Sequence, residues 1–210
     1  MFTPISLRFS ALGCTRGDKR LFNNVNCEVN GGQWLYVAGV NGVGKTSLLR
    51  MVVGLAPIES GQILWNDVSI HSRREEFRRD LCYLGHLNAL QESMPVHDNL
   101  RYTAALAGLS PSIDEIDAVL ARFGVPGRGQ QLVRHLSQGQ KRRVALSRLA
   151  LNRARLWVLD EPFVAMDDAG VRMLAALIAQ HVQKGNLAVI TSHQQVDIGG
   201  LTPQRLELTR

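Results

Sequence analysis

The chain contains few cysteines and no long apolar run. Its 210 residues include three cysteines, Cys14, Cys27 and Cys82, which are widely spaced and form no Cys-x-x-Cys pair. A disulfide framework or zinc site is therefore not expected, and we interpret the cysteines as small buried side chains. No apolar stretch approaches the ~18 residues that span a bilayer. The first residues lack the charged-then-apolar arrangement of a signal peptide. The sequence thus predicts a protein kept in the cytosol or an equivalent compartment.

Length and composition are those of a globular protein with one core. Hydrophobic residues make up 45% of the chain, and neither internal repeats nor low-complexity tracts interrupt it. These features predict one domain over residues 1–210. The net charge of +6 fits a nucleic-acid partner, an anionic membrane surface, or solubility alone. The densest charged run, residues 73–79, mixes both signs around Phe77, which predicts the solvated face of a helix.

Residues 39–46 read Gly-Val-Asn-Gly-Val-Gly-Lys-Thr and match the phosphate-binding pattern G-x-x-x-x-G-K-[ST]. The glycines let backbone N–H groups point inward, Lys45 can reach the β- and γ-phosphates, and Thr46 offers a hydroxyl to Mg²⁺. The flanks also fit, since residues 34–38 predict a buried strand and residues 47–53 a helix whose N-terminus attracts anions. The predicted nucleotide ligands are Gly39, Asn41, Gly42, Gly44, Lys45, Thr46 and Ser47.

A second motif, residues 156–161, consists of four apolar residues followed by two carboxylates. A buried strand that ends at Asp160 can hold a water ligand of Mg²⁺. Glu161, one residue further, can orient and deprotonate an attacking water. Apolar strands often end in acids, so the motif says little alone, and it is the pairing with Lys45 that favours a nucleotide site.

The rest of the chain alternates short apolar runs with helical patterns. After N-terminal strands around a turn at residues 15–18, further strands are predicted at residues 62–65, 81–84, 156–159 and 187–190. Helices are predicted at residues 94–123, with a break at 108–111, and at 140–151 and 168–183. This alternation predicts an α/β fold with a mostly parallel sheet, whose ligand lies at the carboxyl ends of the strands.

The segment Leu136-Ser-Gln-Gly-Gln140 opens a predicted helix. A serine and a glycine at this place form either an ordinary N-cap or a further anion site. Together with the two motifs above, the segment resembles the signature Leu-Ser-Gly-Gly-Gln of the ABC transporter ATPases, with Gln138 in place of the first glycine. The resemblance covers nearly the whole chain. It includes Asp167, at the key acid of the family's D-loop, and His193, at its switch histidine.

The resemblance implies a fold and a mechanism. The fold is a P-loop NTPase core with a mostly parallel sheet, an N-terminal antiparallel β-subdomain, and a helical signature subdomain at about residues 87–143. Two copies form a head-to-tail homodimer on ATP binding. Lys45, Thr46 and Asp160 of one copy hold ATP and its Mg²⁺, while Glu161 activates water and His193 contacts the γ-phosphate. The signature of the other copy caps the ATP with Ser137, Gln138, Gly139 and Gln140.

Two positions depart from the family's pattern. His86 stands where the Q-loop glutamine is usual. It could bridge a Mg²⁺-bound water and a partner surface and titrate near neutral pH, or simply replace glutamine as a hydrogen-bonding group. The aromatic residue that usually stacks on adenine is missing, and its place falls near Arg16. Because a guanidinium can stack on a base, Arg16 is either the adenine platform or a free surface charge.

Within the ABC ATPases, the chain most resembles the ATP-binding subunits of the haem exporter complex of cytochrome c maturation. The resemblance rests on its short length, on Gly85-His86, and on the runs at residues 140–149 and 156–163. It implies a peripheral subunit on the cytoplasmic face of the bacterial inner membrane, or on the matrix face in mitochondria. Its implied partners are integral membrane permease subunits and haem-handling maturation proteins, and ATP hydrolysis would release a haem-loaded chaperone.

Three other functions stay open on the residues alone. The core motifs also fit the ATPase of another ABC importer or exporter, and residues 86–123, which would meet the membrane partner, decide between them. A nucleic-acid-associated ABC ATPase fits the basic charge. Such proteins usually carry tandem ATPase domains or a long coiled-coil insertion, which this chain lacks, so no nucleic acid is expected. A binding module without turnover is disfavoured by the set of Lys45, Asp160, Glu161 and His193.

Overall fold

The computed structural model describes residues 5–194 and 196–209. The strands along this part of the chain are β1 (Ser6–Arg16), β2 (Lys19–Asn30), β3 (Trp34–Ala38), β4 (Ser60–Trp65), β5 (Val68–Ser69), β6 (Leu81–Leu84), β7 (Leu156–Asp160), β8 (Leu187–Thr191) and β9 (Gln204–Glu207). The helices are α1 (Lys45–Val52), α2 (Arg74–Asp80), α3 (Val96–Leu106), α4 (Ile113–Arg122), α5 (Gln138–Ser147) and α6 (Asp168–Gln183), with a 3₁₀ turn at Val133–His135.

The strands form two sheets, one antiparallel with the order β2-β1-β4-β5 and one parallel with the order β6-β7-β8-β3-β9. In the parallel sheet, Asp160 of β7 lies opposite Thr191 of β8, and Thr191 lies opposite Val37 of β3. The carboxyl ends of β3, β7 and β8 therefore lie side by side. Ligands bind at this edge of a sheet in open α/β folds.

The parallel sheet separates two hydrophobic cores. Because successive side chains of a strand point to opposite faces, β7 sends Leu156 and Val158 into the core shared with the antiparallel sheet and α1. The same strand sends Trp157 and Leu159 into the core shared with α3 to α6. Every residue of β7 and β8 is buried, which explains why these strands read as unbroken apolar runs in the sequence.

Most elements lie where the sequence predicts them. The predicted bounds of β3, β6 and α6 are confirmed, as is the break between α3 and α4. The helix predicted at residues 140–151 is wrong at both ends. It begins at Gln138, because Ser137 is its N-cap. It ends at Ser147, and Asn152 Nδ2 then donates to the carbonyl oxygens of Arg148 and Leu149 at 2.8 and 3.3 Å, which satisfies them outside the helix.

Three features of the structure were not expected or only partly so. Strands β5 and β9 have no sequence signal, since β5 has two residues and β9 is a polar edge strand beside β3. Of the cysteines, Cys14 is buried as predicted, whereas Cys27 and Cys82 are half-buried. Burial nevertheless raises the pKa of both Cys27 and Cys82 to about 11, so their thiols stay protonated and poorly reactive at neutral pH.

Candidate functional site

A cleft of about 410 Å³ opens where β3, β7 and β8 end. It gathers residues that are far apart in the chain, most of which belong to the motifs predicted from the sequence. The residues that line it are Leu21, Asn41, Gly42, Gly44, Lys45, Thr46, Ser47, His86, Asp160, Glu161, Val164 and His193. Most are polar or charged, and loop, helix N-terminus and carboxylates face one another across a space that admits a polar ligand.

The loop between β3 and α1 depends on glycine at two positions. Gly39 has a φ of 139° and Gly44 a φ of 115°, a region that side chains disfavour. A Cβ on Gly44 would also lie 2.9 Å from Cδ1 of the Phe22 ring, and one on Gly39 would lie 2.9 Å from the carbonyl oxygen of Leu208. Glycine is therefore required here both by the backbone conformation and by the neighbouring atoms.

Lys45 is held inside this loop. It is 9% exposed, and its Nζ donates to the carbonyl oxygen of Gly39 at 2.7 Å and to that of Val40 at 3.4 Å. The ammonium thus lies at the first turn of α1, where the backbone N–H groups and the helix dipole also favour an anion. Thr46 beside it is exposed and Ser47 half-buried, so the hydroxyl of Thr46 is open to a ligand.

Asp160 is a buried carboxylate with one free oxygen. The residue is 2% exposed, and its Oδ1 accepts a hydrogen bond of 2.7 Å from the hydroxyl of Thr191. Its Oδ2 has no hydrogen-bond partner among the described residues. Buried polar atoms are normally satisfied, and Mg²⁺ takes carboxylate and hydroxyl oxygens together with several waters. The free oxygen of Asp160 and the open hydroxyl of Thr46 therefore fit a Mg²⁺ ion in this cleft.

Glu161 has a left-handed backbone, with a φ of 50°, which is uncommon for a residue other than glycine and is often found at functional sites. Its N–H donates to Thr191 Oγ1 at 3.0 Å, and its Oε2 accepts from the N–H of His193 at 3.1 Å. The ring Nε2 of His193 lies 3.2 Å from Oε1. No hydrogen bond joins these two atoms, since Oε1 has no such partner within the described chain. One carboxylate oxygen of Glu161 is thus left without a hydrogen bond there.

The signature segment lies elsewhere in the same copy. Ser137, Gln138, Gly139 and Gln140 are not among the residues that line the cleft. Ser137 is the N-cap of α5, where its Oγ accepts from the N–H of Gln140 at 3.2 Å and Gln140 Oε1 accepts from the N–H of Ser137 at 2.9 Å. The ordinary N-cap is therefore present, and an anion site in trans stays a prediction.

Of three other predicted residues, His86 lines the cleft, whereas Arg16 and Asp167 do not. His86 is exposed and lines the cleft, whereas Arg16 is exposed at the end of β1 and does not line it. Adenine stacking by Arg16 therefore stays a prediction. Asp167 is the N-cap of α6, where its Oδ1 accepts from the N–H of Gly170 at 3.0 Å. The same oxygen accepts from Nη2 of Arg143 at 2.6 Å, which joins α6 to α5.

Sequence reasoning missed four residues of this site. Thr191 joins Asp160 to Glu161, Leu21 and Val164 line the cleft, and Arg142 donates to the carbonyl oxygen of Glu161 at 2.8 Å. No motif marks Leu21, because its place depends on the pairing of β1 with β2. Thr191 carries a weak signal, since it is a hydroxyl at the end of a predicted core strand. Arg142 lies in a charged run and is not distinguished from solvated neighbours.

The known proteins that this chain resembles belong to one family. A family model described as "ABC transporter" matches residues 22–164. The "Cytochrome c biogenesis ATP-binding export protein CcmA" of Albidiferax ferrireducens is 69% identical over 208 residues, 99% of each chain. The protein of the same name from Dechloromonas aromatica is 49% identical over 94% of this chain and 97% of its own length. A Pyrococcus furiosus structure described as an ABC transporter ATP-binding protein superposes with a TM-score of 0.81 at 25% identity and covers 97% of both chains.

Thr191→Val tests the hydrogen bonds through which Thr191 connects Asp160 and Glu161. Valine keeps the shape but removes both hydrogen bonds, so we expect the free energy of unfolding to fall by about 1–3 kcal/mol and ATP turnover to fall with it. Urea unfolding and a phosphate-release assay measure the two effects. Thr191→Ser keeps the hydroxyl and should retain most of both. Equal stability and turnover in Thr191→Val and the unmodified chain would contradict this role.

Proposed function

This chain belongs to the ABC transporter family, among the cytochrome c biogenesis ATP-binding export proteins, and we propose that it powers haem delivery for cytochrome c maturation. It is an ATPase of the ABC type. The observation that carries the haem assignment is the identity of 69% over 99% of both chains with a curated export protein of that pathway. Lys45, Asp160 and Glu161, which line the cleft together with most of the phosphate loop, support turnover.

The cleft suits ATP and its Mg²⁺. The phosphate loop and Lys45 would bind the phosphates, and Thr46 and Asp160 would hold Mg²⁺, Asp160 through a water. When bound, Mg²⁺ neutralises charge on the phosphate oxygens. Glu161 orients the attacking water and accepts its proton, and its free oxygen supports this assignment. His193 contacts the γ-phosphate and holds Glu161 through its backbone N–H.

We propose that a second copy completes each ATP site with its signature. Gly139 supports this arrangement, because its φ lies outside the left-handed region and a Cβ on it would meet no atom within 4 Å. The fold of one copy therefore does not require glycine at this position. A helix N-terminus with a serine hydroxyl and no side chain at Gly139 would let a phosphate of the other copy's ATP approach the backbone. Asp167, whose carboxylate accepts a hydrogen bond from Arg143 of the same helix, would lie at the boundary between the copies.

The partners follow from the family. No helix within the described residues is long and apolar enough to cross a bilayer. As a relative of the ATP-binding component of an export system, the subunit acts through integral membrane permease subunits. We place it at the cytoplasmic face of the inner membrane, or at the matrix face in an organelle, with haem-handling maturation proteins downstream. Residues 1–210 form one ATPase domain, and the helical subdomain of about residues 87–143 carries the signature.

Ser137→Ala and Ser112→Ala form a matched test of the two-copy site. Both serines are N-caps with the same reciprocal capping box, at α5 and α4 respectively, so each alanine should cost about 1 kcal/mol of stability. Only Ser137→Ala removes a donor from ATP, and its turnover should fall by roughly 10-fold or more. Phosphate release by the subunit with its membrane partners measures this. Equal turnover in the two variants would argue against a signature that acts in trans.

The partners are tested with Glu161→Gln, which should bind ATP but lose roughly 10²-fold or more in turnover. Affinity purification of this variant from detergent-solubilised native membranes with ATP should recover small multi-span subunits together with a haem-carrying chaperone or haem-handling membrane protein. Mass spectrometry and a haem absorbance scan identify them. Lys45→Ala, which should weaken ATP binding, is the control, because it should not retain bound ATP as Glu161→Gln does.

Other outcomes of the purification and of the turnover measurement would contradict parts of the proposed function. Recovery of a different permease without haem would keep the ATPase mechanism and remove the haem assignment. Recovery of ribosomes or nucleic acid would remove the transport function altogether. Near-normal turnover in Glu161→Gln would exclude Glu161 as the base.

A further inference from the structure

Arg142 is a buried cation that has neutral partners. It is 6% exposed and makes no ion pair with a carboxylate in the described part of the chain. Its Nη1 lies 3.3 Å from the carbonyl oxygen of Gly85 and 3.4 Å from Oδ1 of Asn88, and its Nη2 donates to the carbonyl oxygen of Glu161 at 2.8 Å. One side chain of α5 thus holds both the segment that carries His86 and the residue that carries the predicted base.

Burying this charge works against stability. Burial lowers the pKa of the Arg142 guanidinium, and the positive charge of Arg148 lowers it further, while the negative charges of Asp160 and Glu161 act in the opposite direction. An arginine stays charged in a protein, and a buried charge without an ionised partner costs free energy. Stability alone therefore does not explain an arginine at this position. Its hydrogen bond to Glu161, which lines the cleft, provides another reason for the arginine.

The backbone of Glu161 is the feature that needs support. A φ of 50° is unfavourable for a residue with a side chain and persists only where its surroundings hold it. Thr191 holds the N–H of Glu161 and Arg142 holds the carbonyl oxygen. The two contacts fix the peptide groups on either side of the Cα atom, so they also fix the direction in which the carboxylate leaves the backbone.

Arg148 provides the internal comparison. It is the residue directly after the last residue of α5, and burial likewise lowers the pKa of its guanidinium. Its Nη2 donates to the carbonyl oxygen of Asn88 at 2.8 Å, and its Nε donates to that of Ala145 at 3.0 Å. Arg148 therefore holds the same segment as Arg142 but makes no hydrogen bond with Glu161.

We propose that Arg142 is a positioning residue for ATP hydrolysis, which holds the backbone of Glu161 so that its carboxylate faces the attacking water. This inference rests on the proposed role of Glu161 as the base. It assigns Arg142 an effect on the chemical step and not on ATP binding, because none of its hydrogen bonds to the described residues reaches the phosphate loop. Arg142 also connects Glu161 with residues 85–88 through hydrogen bonds. This segment carries His86 into the cleft.

The test compares Arg142→Gln, Arg142→Lys and Arg148→Gln in the full chain, purified with its membrane partners. In Arg142→Gln we expect kcat to fall by roughly 10-fold or more, since small displacements of a catalytic group are costly, while KM for ATP stays within about twofold. Arg142→Lys can still reach one acceptor and should recover part of kcat. Arg148→Gln should change the free energy of unfolding in urea by about as much as Arg142→Gln does, because both remove a buried guanidinium, but with a smaller fall in kcat.

A double variant shows whether Arg142 acts through Glu161. If it does, adding Arg142→Gln to Glu161→Gln should cause no further fall in the single-turnover rate, because the positioned group is already lost. A further fall as large as in the single variant would overturn the inference, as would equal kcat losses in Arg142→Gln and Arg148→Gln. If Arg142→Gln does not fold, Arg142→Lys carries the comparison. Near-normal turnover in Glu161→Gln alone would instead remove the proposed function of that residue.

Discussion

The parallel pairing of β3, β8 and β7 is the constraint on which the site depends. It sets Val37, Thr191 and Asp160 in register across three neighbouring strands. Because the strands run in the same direction, whatever follows each of them emerges at one edge of the sheet. The phosphate loop follows β3, and His193 follows β8. Asp160 is the last residue of β7, and Glu161 comes directly after it. A cleft with a cation, two acids and a histidine is the consequence of strand order, not of closeness in the chain.

Within this cleft, hydrogen bonds between neighbouring strand ends decide which atoms are left for a ligand. Thr191 takes up one oxygen of Asp160 and the N–H of Glu161, and Arg142 takes up the carbonyl oxygen of Glu161. One oxygen of each carboxylate is left without a hydrogen bond in the described chain. The groups that would meet Mg²⁺ and water are thus held in place by partners that use their other atoms.

Sequence patterns predict the elements and residues that local physics determines. Parallel strands read as apolar runs, so β3 and the half-buried edge strand β6 have their predicted bounds. The phosphate loop is recognised because each of its residue types has a fixed task. The end of α5 was missed because Asn152 satisfies backbone groups from outside the helix. Strand β9 was missed because only its neighbour β3 makes a polar segment a strand.

The same distinction applies to the site. Lys45, Asp160 and Glu161 follow from motifs, whereas Thr191 and Arg142 act through hydrogen bonds to residues 30 and 19 positions away. Spacing along the chain contains no information on such contacts. Arg16 was selected by its spacing from the loop, and it lies outside the residues that line the cleft, so its role stays a prediction. The signature was found by resemblance, and one copy of the chain leaves it apart from the cleft.

We propose that one copy holds only half of each ATP site, and a crystal structure of Glu161→Gln with ATP and Mg²⁺ tests this proposal. We expect two copies packed head to tail, with ATP bound to Lys45 of one copy and Ser137 Oγ of the other within hydrogen-bond distance of its γ-phosphate. ATP bound at Lys45 with both signatures open to solvent would contradict it, as would ATP bound away from the phosphate loop.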